Sequence, residues 1–222
     1  MHRSGTSMVA SILRAGGVHF GAPDQLVPAA ADNPGGFVEH RGVVAVDERL
    51  LAELGGAWDL PPADPGPGWW SHDALGALRR RAALTVAELA DAAPGGMWGV
   101  KDPRLSLVLP FWRALVQDHR VVVCVRNPLE VALSLHARNG TSIAAGLHLW
   151  ERYHAAVDDA VGPDERTVVH YGAVLDDPLG STERLAARLG LALPDDAAAG
   201  EVDRGGRHHR FGRAELRAVG AP

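Results

Sequence analysis

Between Thr6 and Ala15 the apolar residues Met8, Val9, Ile12 and Leu13 recur at helical spacing, and Gly16-Gly17 stops the run. Residues 22–36 lose all periodicity in a stretch of Pro, Asp, Asn and Gly, which reads as loop. Val43, Val44, Leu50, Leu51 and Leu54 then share one side of a helix expected over about 40–54, and a second helix is expected from Asp73 to Ala92. PPADPGPG at 61–68 reads as an irregular surface loop. Trp98-Gly99-Val100 has the length of a short buried strand, and Leu105 to Gln117 is helical in pattern, with Pro110 marking either a kink or a start. Arg120 to Val125 is the clearest strand of the chain, β-branched and apolar on both faces. Behind it Asn127 can cap a helix, Pro128 suits the first helical position and Glu130 completes a box-like start. Asn139-Gly140 ends that helix. A long helix from Ser142 to Val161, a strand from Thr167 to Tyr171, and a helix from Thr182 to Leu189 capped by Ser181 complete the pattern. After Pro194 the chain turns acidic and then basic, with little periodicity.

Strands alternating with helices predict an α/β fold in which a central parallel sheet is flanked by helices on both faces. At 222 residues the chain suits a single domain over 1–222, with 195–222 as an irregular tail. Composition changes this picture little, since 46% apolar and 22% charged residues are ordinary for a globular domain. A net charge of −5 speaks against general nucleic-acid binding, so an anionic ligand must be gripped by local positive charge. Cys124, the lone cysteine, lies inside VVVCV as a buried thiol, and one cysteine allows no internal disulfide. A reducing cytoplasm is the default expectation. No apolar run reaches the ~18–20 residues of a membrane span, and no signal-peptide profile opens the chain. The eleven histidines form no H-E-x-x-H or comparable metal-ligand pattern, and His208-His209 alone are weak.

In parallel sheets ligands bind beyond the carboxyl ends of the strands. That rule selects three stretches: the opening Arg3-Ser4-Gly5-Thr6-Ser7, then Lys101-Asp102-Pro103-Arg104, then Arg126-Asn127-Pro128. Small residues ahead of a helix let backbone N–H groups converge on an anion, though a polar N-terminal turn with a serviceable cap would look the same. Lys101 would be delivered to the ligand edge by an apolar strand, or would belong to a charged Asp-Pro turn. Arg126 leaves a buried strand, and Ser134 lies two helical turns past Asn127, so the two can face one pocket and hold a phosphate.

In this order the three stretches resemble the sulfotransferases that use 3′-phosphoadenosine 5′-phosphosulfate (PAPS). The likeness is greatest to the bacterial branch and to tyrosylprotein sulfotransferases, whose opening loop carries Arg where many cytosolic members carry Lys. It runs on through GFVEH, LLAELGGAWDLPP and VVHYGAVLDDP and covers about residues 1–190. The resemblance implies a three-layer P-loop-like fold and an in-line transfer of the sulfuryl group to a hydroxyl acceptor. It implies that Arg3, Ser4, Gly5, Thr6 and Ser7 wrap the 5′-phosphosulfate, that Arg126 and Ser134 bind the 3′-phosphate, and that Lys101 assists the leaving group. Tyr171 stands at a cofactor-contact position, and Arg207 falls in a tail that folds over the nucleotide in relatives. An acidic base is implied at Glu39, with His40 as its neighbouring alternative. No metal is implied. The acceptor pocket, for a small molecule or a glycan, would draw on the 20–40 loop and on Trp58, Trp69 and Trp70, while the oligomeric state stays open. The family's first strand should end just before the opening loop and is missing here, which predicts further strand-forming residues ahead of Met1. Two rivals remain: a small-molecule or nucleotide kinase, disfavoured by the lack of G-x-x-x-x-G-K-[ST], and a non-catalytic nucleotide-binding relative.

Overall fold

A computed structural model describes residues 1–30, 33, 35–194 and 202. The helix predicted first is present as α1 (Thr6–Ala15), and α2 (Arg41–Glu53) and α3 (Gly76–Ala92) follow the predicted positions within a few residues. In α4 (Leu105–Leu115) the ambiguity of Pro110 resolves: it lies inside the helix, and the distortion falls two residues earlier, where Val108 takes φ −122°. Strand β1 (Val121–Val125) leads into α5 (Pro128–Asn139), and the Asn127 side chain accepts hydrogen bonds from the Leu129 and Glu130 N–H groups. Ser142 caps α6 (Ile143–Ala160) in the same way through Ala145 N–H. Then come β2 (Arg166–His170), α7 (Tyr171–Asp176) and α8 (Pro178–Leu189).

Two of these boundaries differ from the sequence pattern for local reasons. Tyr171 opens α7 instead of closing the strand. The last helix begins a turn before Ser181, because Pro178 presets its first position and Asp177 caps it by accepting from Gly180 N–H.

The sheet is smaller than the alternation predicts. Among the described residues β1 and β2 form one parallel pair, in register from Val121 against Arg166 to Val125 against His170. The connection through α5 and α6 is the helical crossover that a parallel pair requires. Trp98-Gly99-Val100 makes no strand; His19 bridges Trp98 in parallel, with Gly99 N–H donating to the His19 carbonyl at 2.8 Å. A groove of about 510 Å³ separates this segment from β1, lined by Val100 and Lys101 on one wall and by Val121 to Cys124 on the other. With that gap between them, the two segments have no ladder to share.

Three apolar clusters hold the helices in place. Val9, Ile12 and Leu13 of α1 pack with Cys124, Val169, Val174 and Leu185, tying the opening helix to both strands and to α7 and α8. A second cluster joins α2, α3 and α4 around Val43, Leu50, Phe111 and Trp112. In the third, α5 and α6 meet through Val131, Leu135, Leu149 and Tyr153. A β-carbon at Gly146 would press on the Ala132 backbone at 2.8 Å, so glycine is what lets these two helices cross so closely. Truncating a buried Ile, Leu or Phe of these clusters to Ala would cost about 2–5 kcal/mol. No helix among the described residues is long and apolar enough to cross a membrane.

Candidate active site

The opening turn is the junction of the site. Arg3 takes φ 61° and Gly5 φ 84°, so the chain bends twice through the left-handed region before α1 begins. Gly5 has two reasons to be glycine: its φ, and the ring of Tyr171, into which any β-carbon would run. Ser4 is fully buried, and its hydroxyl has no hydrogen-bond partner among the described residues. Such an orphan is uncommon, because a buried hydroxyl left unpaired costs about 1–3 kcal/mol.

At one end of the turn, Arg3 Nε donates to Ser134 Oγ at 2.8 Å, while Arg126 Nη1 donates to the Arg3 carbonyl at 3.1 Å. Arg126 is buried at the carboxyl end of β1. Its Nε donates to Glu130 Oε2 at 3.0 Å, one helical turn on, and its guanidinium lies 4.4 Å from the centre of the Tyr171 ring. Trp150 Nε1 in turn donates to the Arg126 carbonyl at 2.9 Å. Arg3, Arg126, Ser134 and Tyr171, chosen from separate parts of the sequence, therefore form one cluster.

At the other end stands Lys101. Its ammonium donates to Glu39 Oε1 at 2.6 Å, to the Phe37 carbonyl at 2.8 Å and to Ser7 Oγ at 3.0 Å. Three acceptors use all three of its hydrogens. Asn33 Nδ2 also donates to Ser7 Oγ, at 3.3 Å. Burial pulls the Lys101 pKa below the ordinary lysine value and pushes the Glu39 carboxyl above the ordinary glutamate value; each charge partly offsets the other's shift. The two groups sit 62 residues apart in sequence and are brought together by α1 and the loop before α2.

Behind Lys101 the Asp102 side chain is buried and accepts from Arg104 Nη1 at 3.1 Å and from the Arg104 N–H at 2.8 Å. Arg104 also reaches Glu48 on α2, at 3.0 Å. Asp47, one residue earlier on α2, accepts from Trp112 Nε1 at 2.6 Å; burial, with the Asp102 charge second, pushes its carboxyl well above the usual aspartate range.

His40 is placed apart from this group. Its Nδ1 accepts from Gly42 N–H at 3.1 Å and so caps α2, a task that leaves that nitrogen without a lone pair for a substrate proton. Thr6, the first residue of α1, borders the groove. Of the three tryptophans considered for an acceptor pocket, Trp69 is buried in the second core cluster with Trp70 packed against it, and Trp58 covers His2, ring centres 4.8 Å apart. Arg207 and the histidines after it lie outside the described residues.

Several members of the site carried no strong sequence signal. Glu130 looked like a capping residue and also pairs with Arg126. Phe37 contributes a carbonyl, which its side-chain identity does not reveal. One signal was in plain view: of the 22 Lys and Arg residues in the chain, Lys101 is the single lysine. Where every other basic side chain among the Lys and Arg residues is a guanidinium, the one compact side-chain ammonium sits in the site.

Among the described residues no His, Cys, Asp and Glu side chains gather as a metal centre would need. No curated protein matches the chain in sequence. Its fold is similar to that of the sulfotransferase domain from the Synechococcus PCC 7002 olefin synthase, at 18% identity and TM-score 0.57, covering 97% of this chain and 79% of that one. It is similar also to the sulfotransferase STF1 from Mycobacterium tuberculosis H37Rv, at 18% identity and TM-score 0.50, covering 98% of this chain and 71% of that one. The model of the sulfotransferase family matches residues 1–195, a span that holds the opening turn, the Lys101–Glu39 pair and the Arg126 cluster, and the chain belongs to that family.

Proposed function

We propose that the protein transfers a sulfuryl group from PAPS to a hydroxyl of a small molecule or glycan. The observation that carries this reading is the opening turn itself, which touches a fixed-charge cluster at one end and a titratable pair at the other. PAPS has a matching form, with a 3′-phosphate at one end and a 5′-phosphosulfate at the other. Arg126, Ser134 and Tyr171 take the 3′-phosphate end. Arg3, Ser4, Gly5, Thr6 and Ser7 take the phosphosulfate, for which the unpartnered Ser4 hydroxyl and the amino end of α1 are ready donors. The residues present thus fit the group.

Transfer is an in-line displacement in which the acceptor oxygen forms a bond to sulfur while the bond from sulfur to the bridging phosphate oxygen breaks. The acceptor's proton passes to the Glu39 carboxylate, and 3′,5′-ADP departs with the new negative charge. Lys101 neutralises that charge as it develops on the bridging oxygen. Because its three hydrogens are already engaged, Lys101 must exchange one acceptor for the donor. Giving up Glu39 would serve both steps, since it frees the base as it supplies the cation. The wider three-layer P-loop-like sheet and kinship with the bacterial and tyrosylprotein branches belong to this reading. A cytoplasmic setting does too, in keeping with the lone buried Cys124.

Thermal unfolding with 3′,5′-ADP tests the donor. At about 100 times its Kd the nucleotide should stabilise the fold by about 2.7 kcal/mol, a rise of roughly 5–10 °C for a chain of this size, with ATP–Mg²⁺ giving little. Label from the sulfuryl group of PAPS should then appear on members of an alcohol and sugar panel. A shift with ATP–Mg²⁺ alone would overturn the reading in favour of a kinase.

A further inference from the structure

Val38 is a β-branched residue held at φ 53°, a region such side chains rarely enter. It is also buried, 2% exposed, in the core cluster that contains α1 and Cys124. Its two neighbours in sequence grip the same ammonium, Phe37 through its carbonyl and Glu39 through its carboxylate. The φ of Val38 is the torsion that joins those two arms: it turns the 37–38 peptide relative to the chain that carries Glu39. At an extended φ the carbonyl would swing away from the point the carboxylate reaches. Upstream, Gly35 and Gly36 bring no side chains to pack, and Gly36 is held through a turn to Asn33, its N–H donating to the Asn33 carbonyl at 3.0 Å and its own carbonyl accepting from Asn33 Nδ2 at 2.6 Å. Downstream, Glu39 is fixed by backbone pairing, its carbonyl accepting from Val27 N–H at 2.8 Å.

We infer that Val38 is a positioning residue: its side chain, anchored in the core, holds the backbone in the left-handed form that aims the Phe37 carbonyl and the Glu39 carboxylate together at Lys101. Strain of this kind persists only where surrounding packing over-determines it, and it concentrates at reactive sites. Glycine would adopt the same φ without strain, but it would equally adopt others and would have no anchor. The inference rests on the proposed roles of Lys101 and Glu39, yet its first test needs neither donor nor acceptor.

Because Lys101 is the single lysine, ¹⁵N-labelled lysine gives one side-chain signal, and burial with three acceptors should keep that ammonium in slow exchange with water. Val38→Gly should speed the exchange of the Lys101 ammonium by about tenfold or more and lower turnover by about 10²-fold, with the affinity for 3′,5′-ADP unchanged within about threefold. Val38→Thr keeps the branched shape but buries a hydroxyl. It should lower Tm while retaining the slow ammonium and the turnover. Should Val38→Gly not fold, Val38→Ala, which cuts the anchor back, should show the same loss in weaker form below its Tm. A slow ammonium in Val38→Gly or Val38→Ala would overturn the inference, as would exchange rates that merely follow Tm across the variants. Fast exchange in Val38→Gly, slow exchange in the parent protein and no sulfuryl transfer by the parent would instead leave Val38 as a positioning residue and remove the proposed reaction.

Discussion

Two buried ion pairs of the site, Arg126 with Glu130 and Lys101 with Glu39, resemble each other on paper and differ in how the chain assembles them and in what burial does to their charges. Arg126 and Glu130 lie four residues apart across the capped start of α5, so local geometry brings them together, and the cation is a planar guanidinium. Lys101 and Glu39 come from distant parts of the chain, and burial moves both toward their neutral forms. The first pair suits gripping an anion that does not change. The second suits a step in which a proton leaves one group and charge appears on another. Binding calls for permanence and chemistry for poise, and under the proposed function a single short turn separates the two.

Lys101→Ala should break this contrast most severely. We predict a fall in turnover of about 10³-fold, with affinity for 3′,5′-ADP changed only a few-fold, because the lost cation acts on charge that exists mainly in the transition state. Lys101→Arg should recover little of it, since a guanidinium fork cannot occupy the three-acceptor seat of an ammonium. Full activity in Lys101→Arg would erase the distinction between the two pairs. Glu39→Gln should lower turnover about 10²-fold and leave nucleotide binding nearly intact; unchanged turnover would remove Glu39 from the reaction.

On the fixed-charge side the expected loss is in binding. Arg126→Ala should weaken 3′,5′-ADP by about 10–100-fold at nearly constant turnover under saturating donor. It should also destabilise the fold by about 3–5 kcal/mol, because the buried Glu130 carboxylate is stripped of its Arg126 partner. The double variant Arg126→Met with Glu130→Leu separates the two effects: stability should return and affinity should not. If affinity returned as well, Arg126 would be a structural residue only.

How much of this was legible in the sequence follows the range of each interaction. The capped start of α5 is written within four residues: Asn127 accepts from the first turn and Pro128 opens the helix, while the Glu130 side chain, expected to complete the cap, pairs with Arg126. Arg126 and Ser134 could be assigned to one pocket on paper because Arg126 ends the strand and Ser134 lies two helical turns past the cap Asn127. The membership of Lys101 and Glu39 in one site came from a resemblance, since no local rule connects residues 62 apart. Trp98 to Val100 failed as a strand because a strand is defined by its neighbour, and apolar character alone does not supply one. Ser181 lost its role as cap to Asp177 because Pro178 determines where the helix can begin. His40 and Glu39 are adjacent in sequence, yet one caps α2 and the other pairs with Lys101, a division that only the backbone path reveals.

Asp47 provides the smallest but cleanest test of what pairing does to Glu39, because it shows burial with no lysine set against it. Both carboxyls are raised above their ordinary values, Asp47 well above. Between the unfolded pKa near 3.8 and the higher folded value, the native state keeps a proton that the unfolded chain has released. The unfolded state then binds fewer protons, so stability falls as pH rises through that window. Asp47→Asn removes the titration while its side-chain oxygen can still accept from Trp112 Nε1. We therefore predict that the Tm difference, Asp47→Asn minus parent, is near zero at about pH 3.5 and grows in favour of the variant toward neutrality. Each kcal/mol should appear as about 2–4 °C. The same scan on Glu39→Gln should level off at a lower pH and at a smaller total difference, since Lys101 offsets part of the burial effect there. Equal windows and equal total differences for the two variants would mean that the ammonium does nothing for Glu39 in the resting protein, and the contrast between a fixed and a poised pair would lose its physical basis.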